Sequence, residues 1–340
     1  MRSKKLNRII FVGGLIIVAL MIARNTFYGG AVESETSIFV NEQTSYEQLC
    51  REIDDAIGNS TLKSVAFDIY ASRINLRNRY KAGYYRLTKD MSVIRIARIL
   101  ALGEQTPIRL VVGEARTIPQ LAGKLSSQIA ADSAELVKTL YNKNIRASHG
   151  FVRDSIIALF IPNTYEVYWA ITPEQLLQRM HREYDAFWTE EREAKRKALN
   201  MSRYKVITLA SIVYEETKLT DEMPRVAGVY INRLRKGIPL QADPTVKYAL
   251  QDFTLKRILH KHLRYKSPHN TYTNRGVPPA PICIPSIAAI DAVLNYEKHS
   301  YLYFCARPEL DGRHNFALTL SEHNANARAY SAALNKLNIK

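Results

Sequence analysis

Leu209-Ala-Ser-Ile-Val-Tyr-Glu-Glu-Thr217 places a carboxylate at a position where a soluble helix normally carries an apolar residue. Apolar residues recur at helical spacing through this stretch, at Val206, Leu209, Ile212 and Val213. The next position on the same face is Glu216, whereas Glu215 lies about 100° further round the helix and can point to water. Partial burial disfavours the anion of Glu216 and raises its pKa. The stretch therefore predicts a carboxylic acid that stays protonated near neutral pH and can donate a proton.

A simpler interpretation of Glu216 is structural. A Glu at the edge of a hydrophobic core commonly reaches a neighbouring cation, and Arg225 or Arg233 would serve here. The helix alone favours this ion pair over a catalytic role. The choice between the two depends on the motifs that surround the helix.

Seven short motifs accompany this helix in a fixed order along the chain. Five follow it: Gly228-Val-Tyr-Ile-Asn-Arg-Leu234, Leu240-Gln-Ala-Asp-Pro-Thr245, His269-Asn-Thr-Tyr272, Gly276-Val-Pro-Pro279 and Tyr301-Leu-Tyr-Phe304. Two precede it: Lys81-Ala-Gly-Tyr-Tyr-Arg86 and Phe160-Ile-Pro-Asn-Thr-Tyr165. In this order they resemble the endolytic murein transglycosylases, the YceG-like or MltG family of membrane-anchored lytic enzymes. The likeness extends to the N-terminal segment and covers most of the chain.

The resemblance assigns a role to Glu216. The core motif of the family reads like Ala-Ser-Ile-Ile-Glu-Lys-Glu-Thr, and its second Glu, the catalytic acid/base, falls on Glu216. The first Glu falls on Tyr214, where the chain departs from the pattern. Either that Glu is not needed for the chemistry, or Glu215 substitutes for it. A second departure is Asn163, where the family usually has Asp, which leaves a hydrogen-bonding role at this position.

The resemblance implies a carbon–oxygen lyase that acts on polysaccharides. It would cleave the β-1,4 bond between N-acetylmuramic acid and N-acetylglucosamine in peptidoglycan, leave 1,6-anhydro ends, and terminate or trim nascent strands. Glu216 would serve as acid and then as base, with no cofactor and no metal ion. Two rivals stay open: a hydrolytic muramidase that uses Asp243 as its second carboxylate, and a non-catalytic protein that binds the wall.

Four further residues are candidate substrate contacts: Gln241, Asp243, Asn270 and Tyr272. Asp243 also has a complete structural explanation, as the cap of a helix that begins near Thr245 after a short extended piece from Leu240. Asn270 and Tyr272 lie in a proline-rich loop, where they offer an amide and an aromatic face to sugars. The alternative is that they satisfy the backbone of the loop itself.

The N-terminus predicts a membrane anchor. Residues 1–8 carry four basic side chains and would form a cytoplasmic tail, and the uncharged run Ile9–Ala23 would begin a transmembrane segment at 9–28. The run is shorter than the roughly 20 residues of a full span, so snorkelling by Arg8 and Arg24 would extend it. The rest of the chain, with the catalytic domain, would lie on the periplasmic or extracytoplasmic side of the inner (cytoplasmic) membrane. A cleaved signal peptide is the alternative.

The formal charge of +16 limits the partners. It suits an anionic membrane surface or an acidic glycopeptide, and it also suits nucleic acid. The basic residues are spread along the chain, apart from a cluster at Lys256–Lys266, and no nucleic-acid-binding motif accompanies them. We therefore expect peptidoglycan strands and the membrane as partners, and no nucleic acid. The resemblance adds peptidoglycan synthases, the penicillin-binding proteins, as candidate partners.

Three cysteines, an odd number, do not predict a disulfide framework, although two of them could pair and leave one free. They are Cys50, Cys283 and Cys305. Widely separated cysteines are typical of small buried hydrophobic side chains, and they provide no metal-ligand spacing. We expect no metal site.

The sequence predicts an α+β fold with an N-terminal transmembrane helix. After a linker at 29–37, a short β-prone run, a polar turn and an amphipathic segment capped by Ser or Thr recur three times. The copies are 38–40 with 45–53, 84–87 with 92–100, and 108–112 with 117–125. We expect their helices to pack on one side of a small sheet. In the family, the region 38–105 looks like a small LysM-like strand-turn-helix module that binds glycan; a plain scaffold is the alternative.

Residues 106–340 would form a mixed α+β catalytic domain. Thr172-Pro-Glu-Gln175 predicts a capped helix, with the charged run Glu190–Lys197 as its solvated end. A helix at Arg225–Arg235 would end at Gly237. A hairpin is expected at 301–306 and 313–316, followed by a closing helix at Ser321–Leu337.

Overall fold

The chain forms two compact units. The computed structural model describes residues 2–255 and 257–336. The first unit consists of the residues up to Leu110 with 128–130 and 166–171, and the second of 111–127, 131–165 and the residues from Thr172 onward. The mixed α+β class is confirmed. The limits expected for a module at 38–105 and a catalytic domain at 106–340 stay predictions.

Three predicted features extend to residues that lie outside the described part of the chain. The cytoplasmic tail includes Met1, the basic cluster includes Lys256, and the closing helix includes Leu337. The remainder of each feature lies within the described residues.

The first unit contains helices around a two-stranded sheet. Its elements are α1 (Arg2–Tyr28), β1 (Thr36–Val40), α2 (Tyr46–Ala56), α3 (Thr61–Arg73), a 3₁₀ turn (Leu76–Asn78), β2 (Gly83–Leu87) and α4 (Val93–Leu102). Strands β1 and β2 are antiparallel, with Ile38 opposite Tyr85. The side chains of both residues are almost completely buried, so this face of the sheet belongs to the core.

Two strands and three helices continue the chain toward its second half. They are β3 (Ile108–Val112), α5 (Ile118–Ser126), α6 (Ser133–Tyr141), α7 (Lys143–Ser148) and β4 (Asn163–Val167), with a 3₁₀ segment at Arg153–Leu159. The second unit is then completed by α8 (Pro173–Phe187), α9 (Glu190–Ala198), α10 (Arg203–Glu216), α11 (Met223–Arg235), α12 (Asp243–Leu250), α13 (His260–Leu263), α14 (Ile287–Leu294), β5 (Tyr303–Ala306), β6 (His314–Ala317) and α15 (Leu320–Lys336).

The three predicted strand-turn-helix repeats are confirmed. The prediction that their strands form one sheet is wrong. The hydroxyl groups of Ser45, Ser92 and Thr117 each accept a hydrogen bond from a first-turn N–H group of α2, α4 and α5. However, β3 pairs with β4 instead of joining β1 and β2. The caps depend on neighbouring residues and can be found from sequence. Strand pairing depends on a partner far along the chain, and β4 was not expected as a strand.

The helix that begins at Thr172 ends earlier than expected. Its predicted capping box is confirmed, since the Thr172 hydroxyl accepts from the Gln175 amide and the Gln175 side chain accepts in return. The helix α8 ends at Phe187, and Thr189 caps a separate helix, α9. The charged run is therefore not the end of α8. One of its cations, Arg192, forms a two-pronged pair with Asp291 of α14, at 2.9 and 3.0 Å.

Helix α10 is buried on all sides along most of its length. Every residue from Val206 to Val213 is buried, including the hydroxyl residues Thr208 and Ser211. The Ser211 hydroxyl donates to the carbonyl oxygen of Thr208 at 2.7 Å and accepts from the amide of Ile282 at 3.0 Å, so its burial leaves no unpaired polar group. Because these central turns are packed on every side, they hold the helix and the turn that follows them in place. That turn ends with Glu216.

The predicted hairpin and closing helix are confirmed. Strands β5 and β6 pair antiparallel, with Phe304 opposite Phe316. Helix α11 starts two residues before the expected Arg225, and it is followed by Gly237 in the left-handed conformation with φ of +65°. The three cysteines are free; Cys283 is buried, and Cys50 and Cys305 are partly buried.

Helix α1 meets the length and composition required to cross a membrane. Its segment Lys5–Tyr28 has 24 residues, and the most apolar 18 of them have a mean hydropathy of 2.3 and are not buried within the protein. At about 1.5 Å per residue this segment is long enough for a hydrocarbon core of about 30 Å. A signal sequence has the same properties.

We predict that Gly228→Ala destabilises the second unit. A Cβ atom at this position of α11 would lie 2.5 Å from the carbonyl oxygen of Glu297 and 2.5 Å from Nε2 of His299. The helix must move away from that segment, and overpacking of this kind lowers the free energy of unfolding by about 1–3 kcal/mol. Urea unfolding of the full chain, followed by circular dichroism, measures the change.

The matched control is Gly123→Ala within α5. Nothing lies within 4 Å of a Cβ atom there, so the same substitution keeps its favourable effect on helix propensity, up to about 1 kcal/mol. Equal stability of the two variants would contradict the close approach at Gly228.

Candidate active site

A cavity of about 430 Å³ lies in the second unit at the end of α10. Its walls come from α11, the segment that precedes α12, the loop after α13, the β5–β6 hairpin and the start of α15. Four of the five predicted site residues line it, namely Glu216, Gln241, Asp243 and Tyr272. Residues distant in sequence thus meet around one open space, which suits the recognition of an extended ligand.

Glu216 is partly buried and carries a hydrogen bond from a phenol. The hydroxyl of Tyr230 donates to Oε1 of Glu216 at 2.6 Å. Burial of Glu216 raises its pKa from 4.5 to about 7, and the negative charge of Asp243 acts in the same direction. The Tyr230 hydrogen bond opposes both because it stabilises the carboxylate. The prediction of a carboxylic acid near neutral pH therefore has a physical basis in this geometry.

The ion pair considered for Glu216 is absent from the described residues. Arg225 instead pairs with Glu297 at 3.0 Å. The guanidinium of Arg233 donates to three backbone carbonyl oxygens, those of Leu302, Pro239 and Leu240, and to Oε1 of Gln241. Because both arginines bind other groups, the structural interpretation of Glu216 as an arginine partner is wrong.

Glu215 does not point to water, contrary to expectation. Its side chain is 15% exposed and binds the guanidinium of Arg116 at 3.0 Å, with Lys218 at 3.6 Å. The neighbouring Tyr214 directs its hydroxyl toward Glu114, at 3.5 Å. Neither Tyr214 nor Glu215 lines the cavity. Tyr214 stands where the family motif has its first Glu, and Glu215 was the residue that could substitute for it. Both lie in a polar cluster outside the cavity lining.

Asp243 is not the cap of α12. The cap position falls on Ala242, and Asp243 is the first residue of the helix, with no capping bond from its side chain. Its carboxylate instead accepts from the hydroxyl of Tyr272 at 2.6 Å. The backbone amide of Ala242 is bound by the Thr271 hydroxyl at 2.9 Å, which fixes the start of the helix one residue earlier than the local pattern indicates. Asp243 is thereby left in the cavity wall.

Gln241 adopts a backbone conformation that the sequence did not indicate. Its φ is +53°, so the segment Leu240–Asp243 is not simply extended. Its amide N–H donates to the carbonyl of Thr271 at 3.1 Å, and its side-chain oxygen accepts from Arg233 at 3.1 Å. The bond from Arg233 occupies the amide oxygen, which leaves the amide nitrogen as a donor on a residue that lines the cavity.

Asn270 does not line the cavity. It is fully buried, and its amide nitrogen donates to the carbonyl oxygens of Leu263 and Tyr265 at 3.0 and 2.8 Å. Its amide oxygen accepts from the backbone amide of Tyr272 at 2.9 Å. This is the loop-supporting role that the sequence left as the alternative. Asn270 affects the site through the position of Tyr272.

Several cavity residues were not predicted as site residues from the sequence, although Arg233 was considered as an ion-pair partner of Glu216. They are Tyr230, Arg233, Tyr303, His314 and His323. Helical spacing predicts that two of them, Tyr230 and Arg233, lie on the same face of α11, because they are three residues apart. The spacing within α11 does not predict which residues that face contacts, because Glu216 belongs to another helix, α10.

Among residues 2–255 and 257–336, no group of three or more His, Cys, Asp or Glu side chains is arranged to bind a metal ion. The polar groups that line the cavity are carboxylates, phenols, an amide, a guanidinium, two imidazoles and a thiol.

Comparison with known proteins finds relatives along most of the chain. The sequence model of the YceG-like family matches residues 38–329. The endolytic murein transglycosylase of Bacillus subtilis (strain 168) is 27% identical over 301 residues, which cover 82% of this chain and 81% of that protein. The endolytic murein transglycosylase of Streptococcus pneumoniae (serotype 2, strain D39) is 27% identical over 290 residues, covering 76% of this chain and 52% of the relative. The match thus spans about half the length of the streptococcal protein.

A solved structure is also similar. The crystal structure of a YceG-like protein from Listeria monocytogenes superimposes with a TM-score of 0.56 at 28% sequence identity. The match covers 86% of this chain and 99% of the other.

We predict that Tyr230→Phe raises the pKa of Glu216 above its value of about 7. The variant removes the donor that stabilises the carboxylate and keeps the aromatic ring. A pH titration of the Glu216 side-chain carbon by NMR, with ¹³C-labelled glutamate, measures the shift. Tyr248→Phe is the control, because Tyr248 is buried in the same unit and does not line the cavity. An unchanged or lowered pKa in Tyr230→Phe would contradict the assigned hydrogen bond.

We also predict that Glu216 makes stability depend on pH. Its pKa in the folded chain, about 7, lies above the ordinary 4.5, so folding favours the protonated form. The resulting stabilisation is fully present below pH 4.5 and disappears as the pH rises through 7. Glu216→Gln lacks this dependence and should exceed the wild type by on the order of 3 kcal/mol at pH 8, with a much smaller difference at pH 4. Denaturant unfolding at the two pH values tests this; a constant difference would count against it.

Proposed function

The chain belongs to the YceG-like family, and from this premise we propose that it is an endolytic murein transglycosylase, a lyase that cleaves inside peptidoglycan strands. The observation that carries the proposal is Glu216, a carboxyl group with a pKa of about 7 at an open cavity large enough for sugar residues. The relatives from Bacillus subtilis and Streptococcus pneumoniae, both named endolytic murein transglycosylases, support the substrate class.

In the proposed reaction Glu216 acts twice. Protonated Glu216 gives its proton to the oxygen that links N-acetylmuramic acid to N-acetylglucosamine, as positive charge develops at the muramyl C1 carbon. The resulting carboxylate then accepts the proton of the muramyl C6 hydroxyl, which attacks C1 and closes a 1,6-anhydro ring. A pKa near 7 suits both steps, because neither protonation state is strongly disfavoured at neutral pH.

Neutral groups of the cavity would position the strand. The amide nitrogen of Gln241 can donate to a sugar hydroxyl or an acetamido oxygen. The rings of Tyr272 and Tyr303 line the same space and offer apolar faces to pyranose rings. Burial raises the pKa of Tyr272, so its hydroxyl stays protonated and continues to donate to Asp243. Asn270 takes part indirectly, as the residue that binds the Tyr272 backbone.

A hydrolytic muramidase is the second candidate, because Asp243 lines the same cavity. Hydrolysis normally requires a second carboxylate that activates water or attacks the sugar. Asp243 already accepts a short hydrogen bond from Tyr272, and its charge raises the pKa of Glu216. These contacts suit a residue that sets the electrostatics of Glu216. A wall-binding protein without catalysis is the third candidate. Binding alone does not require a carboxyl group with a raised pKa, so this candidate gives no role to that property of Glu216.

We further propose that α1 anchors the chain in the inner (cytoplasmic) membrane as a single span. Four basic residues precede its uncharged run, which favours a cytoplasmic N-terminus and a periplasmic catalytic unit. Cleavage after a signal sequence is the alternative. The proposed partners are peptidoglycan strands and, beside the membrane, peptidoglycan synthases (penicillin-binding proteins), where nascent strands would be terminated or trimmed. The LysM-like role of residues 38–105 as a glycan-binding module stays a proposal, with a plain scaffold as its alternative.

We predict that Glu216→Gln lowers the turnover of purified peptidoglycan by about 10²–10⁴-fold, the usual contribution of a general acid/base. Binding of glycan should persist, because the amide keeps the shape of the side chain. Mass spectrometry of the muropeptides released by the wild type should show anhydro ends, each lighter by one water molecule than a reducing end. The control is Glu297→Gln, which removes a carboxylate from an exposed ion pair outside the cavity.

Three outcomes separate the candidates. Undiminished turnover by Glu216→Gln would reject the role assigned to that residue. Reducing ends in the products, together with loss of activity in Asp243→Asn, would indicate a muramidase. Glycan binding without turnover by the wild type would indicate a wall-binding protein.

A further inference from the structure

Helix α3 of the first unit presents apolar side chains on two opposite faces. Ala66, Phe67 and Ala71 lie in the core of the unit. On the other side, Leu62, Val65 and Ile69 are 65%, 52% and 57% exposed. Their spacing of three and four residues aligns them along one line of the helix, here called the α3 outer face. An exposed apolar line of this kind marks a surface that another apolar phase covers.

The start of α3 is fixed close to the end of α1. Ala31, three residues after α1, is fully buried, and its amide donates to the carbonyl of Met91 at 2.7 Å. Its own carbonyl accepts from Nζ of Lys63 at 2.9 Å. Lys63 is the immediate neighbour of Leu62. The first turn of α3 therefore lies beside the point where the chain leaves α1.

The length of α1 places this point in the lipid headgroup layer. The proposed span, 9–28, ends at Tyr28, and the three residues from there to the fully buried Ala31 cover at most about 11 Å even when extended. The headgroup layer of one leaflet is about 5–8 Å thick. Phe27, still within α1, already packs against the core of the first unit. No spacer long enough for a layer of water separates the membrane from this unit.

We propose that the α3 outer face inserts into the leaflet from which α1 emerges. The inference rests on the proposed anchoring by α1 and adds a second membrane contact to it. An apolar line flanked by cations is the composition of helices that lie in the interface. Arg73 is exposed at the C-terminal end of the line, and Arg98 of α4 reaches Tyr70 of α3, with Nε donating to the phenol oxygen at 2.8 Å. Both cations would face anionic headgroups.

The single carboxylate of α3 is compatible with this orientation. Asp68 lies about 60° round the helix from Val65, on the flank and not on the line itself. It is exposed, so it can remain in water while the α3 outer face enters the leaflet.

A second membrane contact would restrict the orientation of the first unit. One transmembrane helix leaves a domain free to tilt, whereas a second contact fixes the side of the first unit that faces the membrane.

The test uses the full chain in vesicles of phosphatidylcholine and phosphatidylglycerol, with and without bromine atoms high on the acyl chains. Bromine quenches tryptophan only at close range. Val65→Trp should show about twofold stronger quenching by brominated lipid than Glu42→Trp, whose side chain is exposed in a polar turn of the same unit. The native Trp169 and Trp188 contribute equally to both variants and cancel in the comparison. Leu62→Trp serves as a second reporter if Val65→Trp fails to fold.

Flotation of the vesicles is measured in parallel and separates the two proposals. Variants that float with the vesicles but show equal quenching at positions 65 and 42 would overturn the α3 contact and leave the anchor intact. A blue-shifted emission at position 65 without quenching would show that protein, such as a second copy of the chain, covers the face, and it would also overturn the proposal. Variants that no longer float with the vesicles would contradict the α1 anchor, and with it the α3 contact, which rests on that anchor. Anhydro-product formation, assayed on the same samples, is expected to be unaffected by the tryptophan substitutions.

Discussion

The hydrogen bond from Tyr230 to Glu216, at 2.6 Å, stabilises the anion of a carboxyl group whose burial favours the protonated form. Glu216 ends a helix that is buried from Val206 to Val213, so its carboxyl group is held partly buried at the cavity wall, and burial raises its pKa. A carboxyl group that is too strongly buried would never ionise and could not act as a base. The phenol stabilises the anion, which brings the pKa back to about 7. The catalytic use proposed for Glu216 depends on this balance, and the rest of the unit maintains it.

Arg233 joins the walls that maintain the balance. Its guanidinium is buried and donates to Leu302, which precedes β5, and to Pro239 and Leu240, which precede α12. One side chain of α11 therefore binds two other segments of the cavity and also orients the Gln241 amide. Burial of a cation is costly unless its donors find partners, and here carbonyl oxygens provide them. Because Tyr230 lies on the same helix face as Arg233, the position of the phenol is fixed together with the walls.

Features that depend on local contacts could be predicted from the sequence, whereas features that depend on distant contacts could not. The phase of α10 identified Glu216, and the three helix caps were correct, because both depend on residues within one or two turns. Glu215 was expected in water, but it pairs with Arg116, 99 residues earlier in the chain, and is only 15% exposed. Asp243 matched the pattern of a helix cap, yet its carboxylate binds Tyr272 from a distant loop. The pairing of β3 with β4 was missed for the same reason, since no local pattern encodes a strand partner.

The two carboxylates of the cavity are differentiated by their partners, which bears on the reaction. Each accepts a short bond from a tyrosine, but Glu216 is the more enclosed, and Asp243 is exposed at the cavity wall. A pair of neighbouring carboxyl groups does not readily hold two negative charges, so the proton belongs to the member whose environment disfavours the anion. That member is Glu216, and the charge of Asp243 reinforces the assignment. An acid that is protonated at rest, beside a carboxylate already engaged by a phenol, suits a route in which one residue both gives and takes the proton. It suits less well a route that requires Asp243 to activate water.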